Sequence, residues 1–292
     1  MPRTLLTDEY WPKLLAILLE LGLYDKPNLR NVIEGILYRM RTGCPWRDLP
    51  ASFGKFQAIY NCFNRWSKKG IIHNIFKILS ADADKEWLMM DGSHIRAHQH
   101  SAGAAAYSGE DEHAIGMSRG GMTSKIHLMV DACGNPLEVI ITAGNINDIS
   151  VAPELVAAID LAETQAVIAD KGYDSDKLRA QIEEEGSQAN IPYKRDREEK
   201  NKDMDWYLYK IRHLVENTFA RLKHYRSIPH ATTSPSATIS VRFSSIRSGR
   251  SFESIVNTSY DRPYSGLITI VLIDIFNNLA NNMNLKTYIL SE

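Results

Sequence analysis

The sequence predicts a mixed α/β core preceded by an all-helical segment. Two observations carry that prediction. Up to about residue 80 the apolar residues recur at helical spacing, whereas from Lys85 they fall into strand-like runs alternating with helices. The chain is also long enough, at 292 residues with 44% hydrophobic, for one large or two modest domains with a substantial core.

The elements follow in order. Residues 7–22 read as a helix with Thr7 as its cap, Asp8 and Glu9 at its positive end, and Trp11, Leu14, Leu15 and Leu18 on one face. A second helix spans about 28–41, and the stretch Thr42-Gly43-Cys44-Pro45-Trp46-Arg47-Asp48-Leu49-Pro50 ends it. A third covers about 55–69, with Phe56, Ile59, Tyr60, Phe63 and Trp66 as its apolar stripe; Lys55, Gln57, Asn61, Asn64, Arg65 and Lys68 lie on the other face. A short fourth helix covers 71–79. Helix, turn and polar-basic helix fit a helix-turn-helix arrangement, and equally a small helical bundle with a solvated face.

Beyond Lys85, strands are expected at 86–95, 123–131, 136–143, 165–170 and 188–193, with helices at 150–162 and 175–185. Gly134-Asn135-Pro136 is a turn signal between the second and third strands. A long helix is expected over 204–226. The order β-β-β-α-β-α-β-α is mixed α/β, its first three strands able to form a meander.

Charge is uneven although the net value is only −1. Residues 1–80 carry 12 Lys or Arg against 6 Asp or Glu, while residues 81–228 carry 17 against 25. That is the asymmetry of a DNA-docking module joined to a metal-binding core, although ordinary fluctuation produces such splits too. Cys44, Cys62 and Cys133 are far apart and form no C-x-x-C pair, which argues against a disulfide framework or a zinc site and for a reducing cytoplasm. Met1-Pro2-Arg3 leads into an amphipathic stretch, so no signal peptide is expected. Gly266–Phe276 is too short and too interrupted for a membrane span.

Three carboxylates stand in informative settings. Asp91 and Asp170 close the apolar runs Trp87-Leu88-Met89-Met90 and Ala166-Val167-Ile168-Ala169, and Glu216 sits in a helical pattern. Strand-end aspartates on adjacent parallel strands stand side by side, and a helix over that edge can bring a glutamate to the same point. Such a set can hold two divalent cations for phosphodiester chemistry. Singly, each is as well explained by a turn aspartate or a surface glutamate. Around Glu216, however, Tyr209, Arg212, Glu216 and Lys223 recur at offsets of 3, 7 and 14, close to one helix face. An aromatic, two cations and an acid make poor core, and they suit a metal ligand beside phosphate-contacting cations. Ile211, Leu214, Val215, Phe219 and Leu222 remain to pack on the sheet.

The spacing Tyr209-x-x-Arg212-x-x-x-Glu216, with Lys223 seven residues on, resembles the signature of DDE transposases of bacterial insertion sequences, in particular the insertion sequence 4 and 5 groups. Four further blocks agree: Asp91 to Gly103, Ser118-Arg119-Gly120-Gly121 through His127, Ala169-Asp170-Lys171-Gly172-Tyr173-Asp174, and Cys44-Pro45-Trp46-Arg47-Asp48-Leu49-Pro50. The resemblance covers about residues 1–228. It implies an RNase H-like catalytic domain over 85–228 behind a helical DNA-binding domain over 1–80. It implies two Mg²⁺ ions, replaceable by Mn²⁺, held by Asp91, Asp170 and Glu216. Tyr209, Arg212 and Lys223 would assist along the DNA backbone, and Lys55, Asn61, Arg65, Lys68 and Arg119 would contact DNA. The implied partners are the element's terminal inverted repeats and target DNA, with a homodimer on DNA in the bacterial cytoplasm at the nucleoid. Water would cut at the element ends, and the freed 3′-hydroxyl would attack target DNA.

His94, His98, His100 and His127 raise a zinc alternative, but without a cysteine partner DNA contact or plain surface histidine explains them better. Arg119-Gly120-Gly121 reads as a basic loop able to approach a phosphate, and Asp148 as the N-cap of the helix that follows.

At Pro229 the composition changes: residues 229–251 hold ten Ser or Thr in 23 positions. Members of the resembled group often continue here with Thr-Arg-Tyr-Asp-Lys. One codon choice for Pro229-His230-Ala231-Thr232-Thr233-Ser234, read two nucleotides later, encodes that peptide. A frameshift near codon 228 is therefore expected, with 229–292 a poorly ordered tail and the support behind Glu216 weakened. The first reading is a DDE transposase whose activity the altered tail impairs; the alternative is a DNA-binding remnant that occupies the terminal repeats without cutting. A metal-dependent nuclease of another kind is the distant alternative.

Overall fold

The computed structural model describes residues 4–81, 83–96, 116–197, 201 and 204–225. The expectations for His98, His100 and the tail from Pro229 lie outside them. The chain divides into two compact units: one holds the residues up to Ala81 together with the end of the last described helix from Leu222, the other Asp82–Arg221.

The first unit holds α1 (Tyr10–Glu20), α2 (Leu29–Thr42), α3 (Phe56–Lys68) and α4 (Ile71–Ser80). Helical spacing places Leu14, Leu18, Ile33, Ile36, Leu37, Met40, Ile59, Phe63 and Phe76 in its core. Thr7 Oγ1 accepts the Tyr10 N–H at 3.4 Å, as a first-turn cap should. The buried Glu34 is satisfied by the N–H groups of Leu5 and Leu6, both at 2.8 Å, which ties the N-terminal segment onto α2. Between α2 and α3 the chain does more than break. Two 3₁₀ turns, Trp46–Asp48 and Ala51–Phe53, each preceded by a proline, set Trp46 against the rings of Tyr60 and Phe63, with centroids 5.5 and 5.3 Å away. Residues 43–55 therefore form an aromatic-packed connection, longer than the tight turn of a helix-turn-helix.

The second unit is a six-stranded mixed sheet: β1 (Trp87–Arg96), β2 (Gly116–Ser118), β3 (Gly121–Val130), β4 (Pro136–Ala143), β5 (Ala166–Ile168) and β6 (Gln188–Asn190). β4 and β1 flank β3 antiparallel, and β1, β5 and β6 run parallel. The order is thus β4-β3-β1-β5-β6, with β2 beside the start of β3. Helices α5 (Asp148–Ala157) and α6 (Asp176–Glu184) make the crossovers on either side of β5. An antiparallel meander extended by two parallel strands with helical crossovers is the RNase H-like arrangement.

Side chains alternate across a strand. Leu88 and Met90 of β1 join Met129, Val151, Leu155, Val167, Leu178 and Ile182 in the core beneath α5 and α6. Met89 and Asp91 point to the opposite side. After β6 come a helical turn α7 (Trp206–Tyr209), a 3₁₀ turn (Lys210–Arg212) and α8 (His213–His224). The helix expected over 204–226 is thus interrupted. Asp205 caps it, accepting N–H from Tyr207 and Leu208 at 2.9 Å. Val215 and Phe219 of α8 are buried. Thr218 Oγ1 lies 2.8 Å from the carbonyl of Gly134 in the β3–β4 turn, and Arg221 donates to that carbonyl and to Thr218, each at 2.8 Å. The support behind Glu216 therefore includes a polar anchor before residue 226.

The short β2 falls outside the expected strands, because three residues show no periodicity. It turns into β3 through Arg119 and Gly120, with Gly121 at φ +96°.

Candidate active site

Asp91 is the fifth residue of β1, mid-strand rather than at the strand end, because β1 continues to Arg96 against β3. The parallel partner β5 stops earlier. Met89 pairs with Ile168, so two residues further along Asp91 stands level with Asp170 at the mouth of the β1–β5 edge. Asp170 follows the strand and caps the turn Lys171–Tyr173, its Oδ1 accepting the Gly172 N–H at 2.7 Å. A Cβ at Gly172 would lie 2.8 Å from that oxygen, so a side chain there would shift the Asp170 carboxylate.

The turn is held from behind. Asp174, fully buried, pairs with Arg179 at 3.0 Å and Arg197 at 3.1 Å and accepts the Lys194 N–H at 2.9 Å. The Arg179 guanidinium lies 4.1 Å from the centre of the Tyr193 ring. Asp174 is therefore an anchor beneath the turn, not an acid facing the site.

Arg212 joins the other two carboxylates. Its Nη1 is 3.3 Å from Asp91 Oδ2, and its Nη2 pairs with Glu216 Oε1 one helical turn away. The Tyr209 ring centre is 5.9 Å from the same guanidinium, with Trp206 edge-on to Tyr209 at 5.8 Å. Asp91, Glu216, Arg212 and Tyr209 are thus drawn together by direct contact, and Asp170 by strand register. Lys223 is exposed two turns beyond Glu216, roughly 10 Å along the helix. Lys55, Asn61, Arg65 and Lys68 are exposed around α3 in the first unit, and Arg119 is exposed in the β2–β3 turn of the second.

The electrostatics match this convergence. Burial raises the Asp91 carboxyl above its ordinary value, and the charges of Asp170 and Asp148 add to that; the Gly92 N–H and Arg212 work against it. Burial alone would lower the Arg212 guanidinium, but Glu216, Asp91, Tyr209 and Asp170 hold it above its usual value. Tyr173 is buried beneath the group, and burial, then the charges of Asp148, Asp91 and Asp170, push its phenol up.

Three residues gather beside this group that sequence reasoning did not assign to it. Asp148 is the first residue of α5, with Asn147 at the cap position, and its carboxylate turns away from the helix. Lys125 Nζ lies 2.6 Å from its Oδ2, and His127 Nδ1 is 3.2 Å from its Oδ1. Burial works against the charge of Asp148, yet the adjacent His127 ring and the Lys125 ammonium hydrogen-bonded to its Oδ2 keep its carboxyl below the ordinary value. This replaces the N-cap reading. His127 is 0% exposed, which replaces the surface reading. The signal was present: Lys125 and His127 are two apart on a strand and share a face. His94 Nε2 lies 3.1 Å from the Gly144 carbonyl.

Among the described residues no three of His, Cys, Asp and Glu are close enough to enclose a metal ion as they stand. The donor chemistry nevertheless fits one. Hard oxygen ligands flank a point that already holds a cationic group, the Arg212 guanidinium. Among the described residues no helix is long and apolar enough to cross a membrane.

Residues 82–238, more than half of the chain, match the family model of the transposase DDE domain. Residues 6–76 match that of a putative transposase of the IS4/5 family. The chain is 41% identical over 117 residues to a putative transposase for insertion sequence element IS6501 of Brucella ovis, covering 37% of this chain and 81% of that one. It is 38% identical over 84 residues to an uncharacterized protein of Sinorhizobium fredii, 29% of this chain and 67% of that one. It is 33% identical over 114 residues to a putative transposase for insertion sequence element IS402 of Burkholderia cepacia, 36% of this chain and 51% of that one. A solved piggyBac transposase synaptic complex with hairpin DNA aligns at a TM-score of 0.43 and 11% identity, over 96% of this chain and 74% of that one. By its family-model match and its relatives among insertion-sequence proteins, the chain belongs to the DDE transposase family.

Proposed function

We propose that this chain moves an insertion sequence: it binds the element's terminal inverted repeats, cleaves the DNA at the element ends and joins them to target DNA. One observation carries the catalytic half. Asp91 and Glu216, 125 positions apart, share one guanidinium, and Asp170 stands level with Asp91 just past the end of the neighbouring parallel strand.

In this reading Asp91, Asp170 and Glu216 hold two divalent cations, Mg²⁺ or in its place Mn²⁺. When bound, these cations supply the positive charge that activates an attacking oxygen and stabilises the leaving one. The chain's own residues do the rest. Arg212 and Tyr209 line the same edge and hold the scissile phosphate through its oxygens, and Lys223 holds the backbone two turns further on. Water attacks phosphorus, the P–O3′ bond breaks, and the 3′-oxygen takes a proton. In joining, that 3′-hydroxyl attacks a target phosphodiester, whose own 3′-oxygen leaves. Both are in-line displacements, so one site serves both. The exposed basic face of α3, with Lys55, Asn61, Arg65 and Lys68, and Arg119 in the second unit contact DNA. Two ends must be held at once, which a homodimer on the DNA provides, acting in the cytoplasm at the nucleoid.

A second reading rests on the abrupt change of composition at Pro229: a catalytically impaired remnant that still occupies terminal repeats. Purified protein, labelled end DNA and supercoiled target separate the two. Joined products that require Mg²⁺ support the transposase. End-specific retardation with neither cutting nor joining supports the remnant, and cutting of arbitrary DNA contradicts both.

A further inference from the structure

We infer that Asp148 is a positioning residue for this chemistry: clamped by Lys125 and His127, its carboxylate seats β1 at Gly92 and so sets the direction of Asp91. The inference rests on the proposed role of Asp91.

The geometry begins with a missing side chain. A Cβ on Gly92 would lie 2.0 Å from Asp148 Oδ1, 2.9 Å from its Cγ and 3.2 Å from Lys125 Cε. The carboxylate therefore occupies the volume a side chain would fill and rests directly on the backbone beside Asp91. It is held there from β3. Register puts His127 opposite Gly92 and Lys125 opposite His94, both on the face turned toward α5. Lys125 reaches Oδ2 at 2.6 Å and also lies 3.5 Å from the Ile146 carbonyl; His127 faces Oδ1 at 3.2 Å. The far nitrogen of the His127 ring is 2.8 Å from Thr142 Oγ1, which fixes the ring's orientation. The Lys125 and His127 side chains are 9% and 0% exposed and have little room to rearrange, while the Asp148 side chain they face is 29% exposed.

The link to Asp91 is the next bond along. Asp91 projects from the opposite face of the strand, yet its Oδ1 accepts the N–H of Gly92 at 2.8 Å. Asp148 presses on Gly92 from one face while the Gly92 amide orients the Asp91 carboxylate on the other. A partly buried ion cluster adds little net stability. What this one supplies is a fixed position for a single peptide plane, and a misplacement of about 1 Å at a reacting centre costs about a hundredfold in rate.

The test uses the full chain with Asp148→Ala, Gly92→Ala, the double variant, Asp148→Asn and, as control, Asp170→Ala. Three quantities are read: Mn²⁺ binding by electron paramagnetic resonance without DNA, kcat and KM for labelled end DNA with Mg²⁺, and the melting temperature. Each of the first two substitutions is expected to weaken Mn²⁺ binding about tenfold and lower kcat about a hundredfold, leaving KM for DNA within about twofold. Truncating residue 148 makes room for the Cβ at 92, so the double variant is expected to be no worse than Asp148→Ala alone. Asp148→Asn keeps the volume over Gly92 and an oxygen for Lys125, and is expected to regain most of the Mn²⁺ affinity. Mn²⁺ binding and kcat within about twofold of wild type in Asp148→Ala, or losses that multiply in the double variant, would overturn the inference. If Asp148→Ala is unfolded at the assay temperature, Gly92→Ala and Asp148→Asn decide by the same readouts. Wild-type binding lost in Asp170→Ala but kept in Asp148→Ala refutes the inference alone; a wild type that binds no Mn²⁺ refutes the proposed site with it.

Discussion

Replacing Arg212 with glutamine removes a cation that contacts both Asp91 and Glu216. At 3.3 Å from Asp91 Oδ2, with side chains 21% and 22% exposed, the pair is neither dry nor fully solvated. Coulomb's law gives about 1 kcal/mol at the dielectric of water and about 5 kcal/mol at an effective value near 20. The contact to Glu216, whose side chain is 51% exposed, adds only about 0.5 kcal/mol. Desolvating the guanidinium offsets part of the gain, so the substitution should cost about 1–3 kcal/mol at neutral pH, or roughly 3–10 °C in melting temperature. The pH dependence carries a sign. Asp91 is already raised, by burial first and then by Asp170 and Asp148. A raised carboxyl contributes stability that is complete below its unfolded value and lost as pH rises through the folded one. Without Arg212 the folded value rises further. The deficit of the variant should therefore be largest at pH 7–8 and close as pH falls toward the ordinary value of 3.8. Saturating Mg²⁺ should narrow it as well, by restoring positive charge. Melting curves across pH, with and without Mg²⁺, check this. A deficit equal at every pH and indifferent to Mg²⁺ would refute the electrostatic reasoning.

Thr218→Val keeps the shape of the side chain that meets Gly134 but removes its hydroxyl, and should cost about 1–2 kcal/mol by urea unfolding together with a measurable fall in cleavage rate. In the first unit, burial and then Lys77 lower His73 to about 3, so it folds neutral and its contribution is lost as pH falls from 6.5 toward about 3. At pH 5 that amounts to about 2 kcal/mol, and His73→Leu should flatten this part of the stability profile. Replacing Lys55, Arg65 and Lys68 together with alanine should weaken binding to end DNA and reduce the slope of log affinity against log salt by about 2 to 3, read by fluorescence anisotropy. An unchanged slope would remove α3 from the DNA interface.

The helices of the first unit and β1, β3 and β4 were legible within two or three residues, because each is long and carries its own period. Asp91 and Asp170 were legible as candidates because each follows an apolar run, although the strand carries on past Asp91 and stops before Asp170. Two things were less accessible. The helix expected over 204–226 breaks at Lys210–Arg212, a local tightening that leaves the helical spacing almost intact. The position of Asp148 depends on which β3 residues face α5 and on the absence of a Cβ at Gly92. Both are facts of register rather than of local pattern, so a capping role was the natural reading of an aspartate at a helix start.

The most direct test asks whether the three carboxylates act as one site. Wild type, Asp91→Ala, Asp170→Ala and Glu216→Ala are each mixed with DNA carrying the element's inverted repeats, in Mg²⁺ and in EDTA. Wild type should cut at the ends only with Mg²⁺. Each variant should lose about a thousandfold or more in rate while still retarding the same DNA. Cutting by any one of the three within about tenfold of wild type would contradict a shared metal site.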